Sequence, residues 1–76
     1  MPWSRKLRVP IVLKDGRTIA TLGQARAVMR SLPAISQSRD VWLYTDGLML
    51  EAATSNTPIG EAAAQLRRAL KADGLL

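Results

Sequence analysis

Residues Ile11–Pro33, with the sequence IVLKDGRTIATLGQARAVMRSLP, predict a β-hairpin that leads directly into an amphipathic helix. The dipeptide Asp15-Gly16 is typical of a two-residue type I′ turn, in which both central residues have positive φ. This turn would place Val12 opposite Ile19. Residues opposite each other on paired strands lie on the same face of the hairpin, and successive side chains along each strand alternate between its two faces. Val12 and Ile19 would therefore share one face. The other, more continuous face is predicted to face the core and carries Val9, Ile11, Leu13, Thr18, Ala20 and Leu22.

The helix that follows has a recognisable start and end. Thr21 can cap its first turn, and Gln24 lies three residues later, which is the spacing of a capping box. Pro33 ends the helix, because the residue before a proline disfavours helical backbone angles. The apolar residues between these limits recur at helical spacing and are Leu22, Ala25, Val28, Met29 and Leu32.

Two interpretations are open for Val41–Ala53, which follows the polar connector Ala34–Arg39. Strand-forming residues before Asp46-Gly47 would suit a second hairpin. As a helix, the segment would carry a glycine inside it, at a cost of about 1 kcal/mol relative to alanine. The ending MLEAA favours the helix, which we predict. Its apolar stripe would be Val41, Trp42, Thr45, Leu48, Met49, Ala52 and Ala53.

The last helix is predicted to begin at Thr57-Pro58, with a capping hydroxyl followed by a proline at the first helical position. Gly74 suits the left-handed position just beyond its end. Its apolar stripe would be Ile59, Ala62, Ala63, Leu66, Ala69 and Leu70. The sequence therefore predicts an α+β fold in which the hairpin is followed by three helices.

The length and composition of the chain narrow its function. With 76 residues it forms one domain, predicted over residues 9–76 behind a basic arm at residues 1–8. A domain of this size buries only about 60% of its unfolded surface, so oligomerisation would stabilise it. The chain has no cysteine and no histidine. Without the usual nucleophile, general base or metal ligands, we expect neither an enzyme nor a bound cofactor or metal.

The charge balance is strongly basic. Eleven Lys and Arg residues against six Asp and Glu give a net charge of +5. The N-terminal arm places Trp3 among Arg5, Lys6 and Arg8, which are candidate anion contacts. Association with nucleic acid, through this arm and the arginines on helix surfaces, is therefore an alternative function. The chain has no predicted membrane span or secretory signal, so a cytoplasmic location is expected.

The leading hypothesis is a small protein-interaction or regulatory module. A two-stranded hairpin has edges that can pair with another chain. The apolar pair Val12 and Ile19 is predicted to lie on the face turned away from the core and is the candidate partner face. Either a homodimer through the hairpin edge or docking of another protein would cover it.

Four segments carry a resemblance: LKDGRTIATLGQA (13–25), MRSLP (29–33), VWLYTDGLMLEAA (41–53) and QLRRALKADGLL (65–76). In this series the chain resembles short uncharacterised proteins of rhizobia and related alphaproteobacteria. The resemblance implies a bacterial cytosolic protein and favours a helix in the middle segment. It transfers no catalytic or binding residue. The chain departs from the pattern at Gly47, where the related proteins have a better helix former.

Overall fold

The computed structural model describes residues 2–55 and 58–76 of the chain. A short 3₁₀ turn (Pro2–Ser4) precedes strands β1 (Lys6–Val12) and β2 (Thr18–Thr21), and the helices are α1 (Leu22–Arg30), α2 (Ala34–Gln37), α3 (Asp40–Thr54) and α4 (Ile59–Ala72). The α+β class is confirmed, but the described residues form four α-helices rather than three. The extra helix is a single turn in the predicted connector. It forms behind Pro33, whose carbonyl oxygen accepts hydrogen bonds from the following turn.

The pairing of the two strands differs from the prediction by one residue. They are antiparallel, but Ile11 lies opposite Ile19, and Val12 lies opposite Thr18. A shift of one residue turns every side chain of a strand to the other face. Ile19 is therefore completely buried, whereas Thr18, which was predicted in the core, is exposed.

The loop between the strands explains this shift. The Leu13 N–H donates to the Arg17 carbonyl at 2.8 Å, and the Gly16 N–H donates to the Leu13 carbonyl at 2.9 Å. Gly16 has a φ of 93°. The loop therefore contains three residues, Lys14, Asp15 and Gly16, in a turn that ends on a left-handed glycine. The prediction of a two-residue turn was wrong.

β1 is irregular in its middle. Its register with β2 shifts between Lys6 and Ile11. Pro10 lies in this stretch, and it has no N–H to donate to a partner strand, so the ladder is interrupted there. Val9 was predicted in the core but is 62% exposed, whereas Leu7 is buried.

α1 begins as predicted. The Gln24 N–H donates to the Thr21 hydroxyl oxygen at 3.2 Å, and the Gln24 side-chain oxygen accepts from the Ala20 N–H at 2.6 Å. The first bond satisfies a donor that the helix start leaves open. The second reaches the N–H of Ala20, one residue before the cap, and not that of Thr21, so the predicted capping box is formed only in part. The predicted buried face is confirmed at Leu22, Ala25, Val28 and Met29, and Leu32 packs at its border.

The ambiguous middle segment is a helix, and the predicted stripe of α3 faces the core. Trp42, Thr45, Met49, Ala52 and Ala53 are buried. Val41 and Leu48 are partly buried beside them. The second hairpin is therefore excluded.

α4 packs along α3 and also contacts β1. Its buried residues are Ile59, Ala62, Gln65, Leu66, Ala69 and Leu70. At its end, Gly74 has a φ of 76°, and the Leu75 N–H donates to the Leu70 carbonyl at 2.9 Å, which confirms the predicted glycine cap. The predicted capping residue Thr57 lies outside the described residues.

The core lies between the hairpin and the three longer helices. Its largest completely enclosed side chains include Trp42, Ile11, Ile19 and Leu22. The Trp42 indole N–H donates to the Asp73 carboxylate at 2.9 Å, which joins the start of α3 to the end of α4. None of the described helices is both long and apolar enough to span a bilayer.

Candidate protein interface

The predicted partner face on the hairpin is only half present. Val12 is 61% exposed, but Ile19 is 0% exposed because of the register shift. Ile19 therefore belongs to the core and cannot contact a partner in this fold. A hairpin-edge interface would have to rest on Val12 and the exposed Val9.

The predicted basic arm is docked on the domain at its first residues. Trp3 packs against the core, and the Arg26 guanidinium lies 4.6 Å from the centroid of its ring. The Arg5 guanidinium donates to the carbonyl of Ala52 near the end of α3, at 2.7 Å. A Cβ added to Gly23 would lie only 3.1 Å from the Trp3 carbonyl oxygen. Trp3 and Arg5 therefore have structural contacts and do not form a free arm.

The other two candidate anion contacts belong to β1. Lys6 and Arg8 are exposed, and the strand that carries them pairs with β2, so residues 6–8 are part of the folded domain. Arg8 lines a shallow depression together with Arg67 of α4. Of the four predicted anion contacts, Lys6 and Arg8 are thus exposed, whereas Trp3 and Arg5 are partly buried against the domain.

The outer side of α3 presents an exposed apolar surface that was not predicted from the sequence. Leu43 and Tyr44 are each 57% exposed, and Leu50 is 50% exposed. A helix turns about 100° per residue, so residues three and four apart share a side. We define the α3 outer face by its exposed residues on the side away from the core, namely Asp40, Leu43, Tyr44, Gly47, Leu50, Glu51 and Thr54.

The apolar side chains of this face are grouped rather than scattered. Single exposed apolar residues are normal on proteins. Contiguous apolar patches of about 300–600 Å² are often binding surfaces. Leu43, Tyr44 and Leu50 surround one position of the same helix, Gly47. α3 therefore carries large apolar side chains on its exposed side as well as on its buried side, with acidic residues between them.

Gly47 has no packing role within the described part of the chain. It lies in the middle of α3, where glycine costs about 1 kcal/mol relative to alanine. Apart from its chain neighbours and the backbone of its own helix, no described atom lies within 4 Å of a Cβ built on it. A glycine on an exposed helix face allows another backbone to approach closely.

The charge of α3 differs from that of the rest of the protein. The helix contains Asp40, Asp46 and Glu51 and no basic residue. All eleven Lys and Arg residues lie elsewhere, together with the other three acidic residues. The α3 outer face is therefore an acidic and apolar surface on a basic protein.

A cavity of about 310 Å³ opens beside this face, between α1 and α3. Met29 and Trp42 contribute apolar walls, and Arg26 and Arg30 contribute positive charge from α1. Leu43 and Asp46 of α3 also line it. The cavity and the α3 outer face form one continuous surface, since Leu43 belongs to both.

The acidic side chains do not assemble into a reactive centre in the described parts of the chain. No group of three or more Asp or Glu residues there is placed to hold a metal ion. The pKa of the Asp15 carboxyl is held below its usual 3.8, chiefly because it accepts a hydrogen bond from the Arg17 backbone N–H. That interaction belongs to the hairpin turn, far in sequence from the α3 outer face.

Comparison with known proteins identifies no relative. No protein-family model matches the sequence, and neither a curated protein nor a solved structure is significantly similar to it. The resemblance to short alphaproteobacterial proteins stays a prediction.

Proposed function

We propose that this protein is a small, non-enzymatic protein-interaction module that binds a helix of a protein partner through the α3 outer face. The observation that carries the proposal is the group of exposed apolar residues Leu43, Tyr44 and Leu50 around Gly47. Burial of these side chains in a complex would remove their apolar surface from water, which favours association.

A helix is the kind of partner that this surface suits best. A helix in a groove contacts its receptor through residues spaced three and four apart. Gly47 would let the partner's backbone come close, and the neighbouring cavity would receive one of its larger side chains. Arg26 and Arg30 at that cavity would attract a carboxylate on the partner.

The hairpin edge is a weaker candidate for the same function. Of the two residues predicted to contact a partner there, only Val12 is exposed. We therefore place the interface on α3 rather than on the sheet.

Association with nucleic acid is the second candidate function. It is favoured by the uneven charge, since the chain outside α3 carries eleven basic and three acidic residues. Arg8 and Arg67 would be phosphate contacts near one depression. Binding through phosphates would weaken steeply between about 50 and 200 mM salt. An apolar interface on α3 would change little over that range.

Site-specific photo-cross-linking in the cells that make the protein tests the main proposal. A photoreactive residue replaces Leu43 on the α3 outer face or, as a control, Arg68 on the exposed side of α4. We expect a discrete cross-linked species from position 43 and none from position 68. The species should disappear when Gly47→Leu is added, because the new side chain blocks close approach.

Two results would overturn the proposal. One is the absence of any protein cross-link from position 43. The other is an identical set of cross-links from positions 43 and 68 that does not respond to Gly47→Leu, since this would indicate random collisions.

A further inference from the structure

We infer that the helix bound by the α3 outer face is α3 of a second copy of this chain, packed antiparallel and crossing it at Gly47. The inference rests on the proposed function and names its partner. The pattern of side chains on either side of Gly47 supports a two-fold symmetric pair.

An antiparallel two-fold pair brings together positions at similar distances before and after its centre. Leu43 precedes Gly47 by four residues and Leu50 follows it by three, and both lie toward the same side of the outer face. Leu43 of each copy would therefore contact Leu50 of the other. The symmetry makes this apolar contact twice.

The opposite side of the face is complementary as well. Tyr44 precedes Gly47 by three residues and Glu51 follows it by four. The Tyr44 hydroxyl of one copy would donate to the Glu51 carboxylate of the other. A parallel pair would instead set Glu51 against Glu51 and Asp40 against Asp40, which is unfavourable for like charges. Antiparallel packing is therefore preferred.

The flank beside α1 stays outside the contact. Asp46 lies about 100° from Gly47 around the axis of α3. It lines the cavity of its own copy together with Arg26 and Arg30. Its carboxylate is therefore turned away from the second copy and does not oppose the pairing of the two helices.

The size of the chain is consistent with a dimer. A stable interface buries about 800 Å² on each partner. The chain exposes 4703 Å² in all. An interface of that size would therefore cover about a sixth of its surface. Since a domain of this length has a small core, burial of α3 would add to its stability.

Sedimentation of the purified chain over a range of concentrations tests the association. We expect a reversible monomer–dimer equilibrium that Gly47→Leu weakens at least tenfold. Gly60→Leu is the matched control, because Gly60 is also in a helix and is exposed. Beyond its chain neighbours and its own helix backbone, no described atom lies within 4 Å of an added Cβ there. This variant should leave the dissociation constant unchanged. Circular dichroism verifies that both variants remain folded.

Thiol cross-linking tests the antiparallel register, since the natural chain has no cysteine. A mixture of Leu43→Cys and Leu50→Cys chains should give a cross-linked heterodimer with a short bismaleimide. Leu43→Cys alone should not, because its two copies would lie about 12 Å apart along the helix axes. Efficient cross-linking of Leu43→Cys alone would indicate another geometry and overturn the inference.

A purified chain that stays monomeric at all concentrations would also overturn the inference. The photo-cross-linking experiment separates this failure from failure of the proposed function. If position 43 cross-links to a different protein in cells, the interaction surface stands and only its assignment to a second copy fails.

Discussion

At the scale of single residues, Asp15 has a defined electrostatic role at the hairpin tip. Its carboxylate accepts from the Arg17 backbone N–H at 2.9 Å and from the Arg17 Nε at 2.7 Å. These bonds favour the ionised form and lower the pKa of the carboxyl, and the backbone bond has the larger effect. A lowered pKa stabilises the folded hairpin above about pH 4, and this contribution is lost as pH falls through the folded-state pKa.

The first prediction separates the backbone bond from the side-chain bond. Arg17→Ala removes the guanidinium but keeps the N–H. We expect the pKa of Asp15 to rise from its natural value and still remain below the usual 3.8. A carboxyl-detected NMR titration of both proteins measures this. A return of the pKa to 3.8 in the variant would show that the guanidinium alone is responsible.

The same turn marks a limit of prediction from sequence. Asp15-Gly16 was correctly located as the turn, but both two-residue and three-residue loops place a glycine at positive φ. The dipeptide therefore does not distinguish them. The difference of one residue decides whether Ile19 enters the core or remains on the surface.

At the scale of secondary-structure elements, a buried polar contact joins α3 to α4. The Gln65 side-chain amide donates to the Thr45 hydroxyl oxygen at 3.3 Å. The Thr45 hydroxyl in turn donates to the Val41 carbonyl at 2.6 Å. Thr45 is 0% exposed and Gln65 is 7% exposed, so water cannot readily replace either partner.

The second prediction concerns this contact. Thr45→Val leaves the buried Gln65 amide without its acceptor, and we expect it to lower the free energy of unfolding by about 1–3 kcal/mol. Adding Gln65→Leu replaces both partners by apolar groups and should recover part of the loss. Urea unfolding of both single variants and the double variant measures the coupling. If the losses of the two single variants simply add in the double variant, the two side chains are not coupled and the prediction is wrong.

The helices show how far periodicity predicts structure. The buried faces of α1, α3 and α4 follow from apolar residues at helical spacing. The α3 outer face was missed because Leu43 and Leu50 fall outside the predicted stripe. Their spacing around Gly47, which already stood out as a poor helix former, was the available indication. That spacing indicates a shared helix face only once the segment is known to be a helix.

At the scale of the whole molecule, contacts between distant parts of the chain explain what the sequence could not predict. The Arg5–Ala52 hydrogen bond docks the N-terminal segment on α3, and the Trp42–Asp73 bond joins two helix ends. No local pattern indicates such partners. The N-terminal arm was predicted from composition alone, because three basic residues beside a tryptophan suggest an exposed segment.

The last prediction concerns the stability of the entire chain. If α3 pairs with a second copy, association stabilises the folded state by mass action. A simple ligand at a free concentration of one hundred times its dissociation constant adds about 2.7 kcal/mol to the free energy of unfolding. We therefore expect the melting temperature to rise by several degrees as protein concentration increases tenfold to a hundredfold. Differential scanning fluorimetry over that range measures it.

A pair of matched variants connects that concentration dependence to α3. Tyr44→Glu would bring a second carboxylate against Glu51 of the other copy, and like charges in contact oppose association. Ala64→Glu introduces the same charge on the exposed side of α4. The dependence should disappear in the first variant and persist in the second. If both variants retain it, the copies meet at another surface, because the charge on the α3 outer face would then be irrelevant to their association.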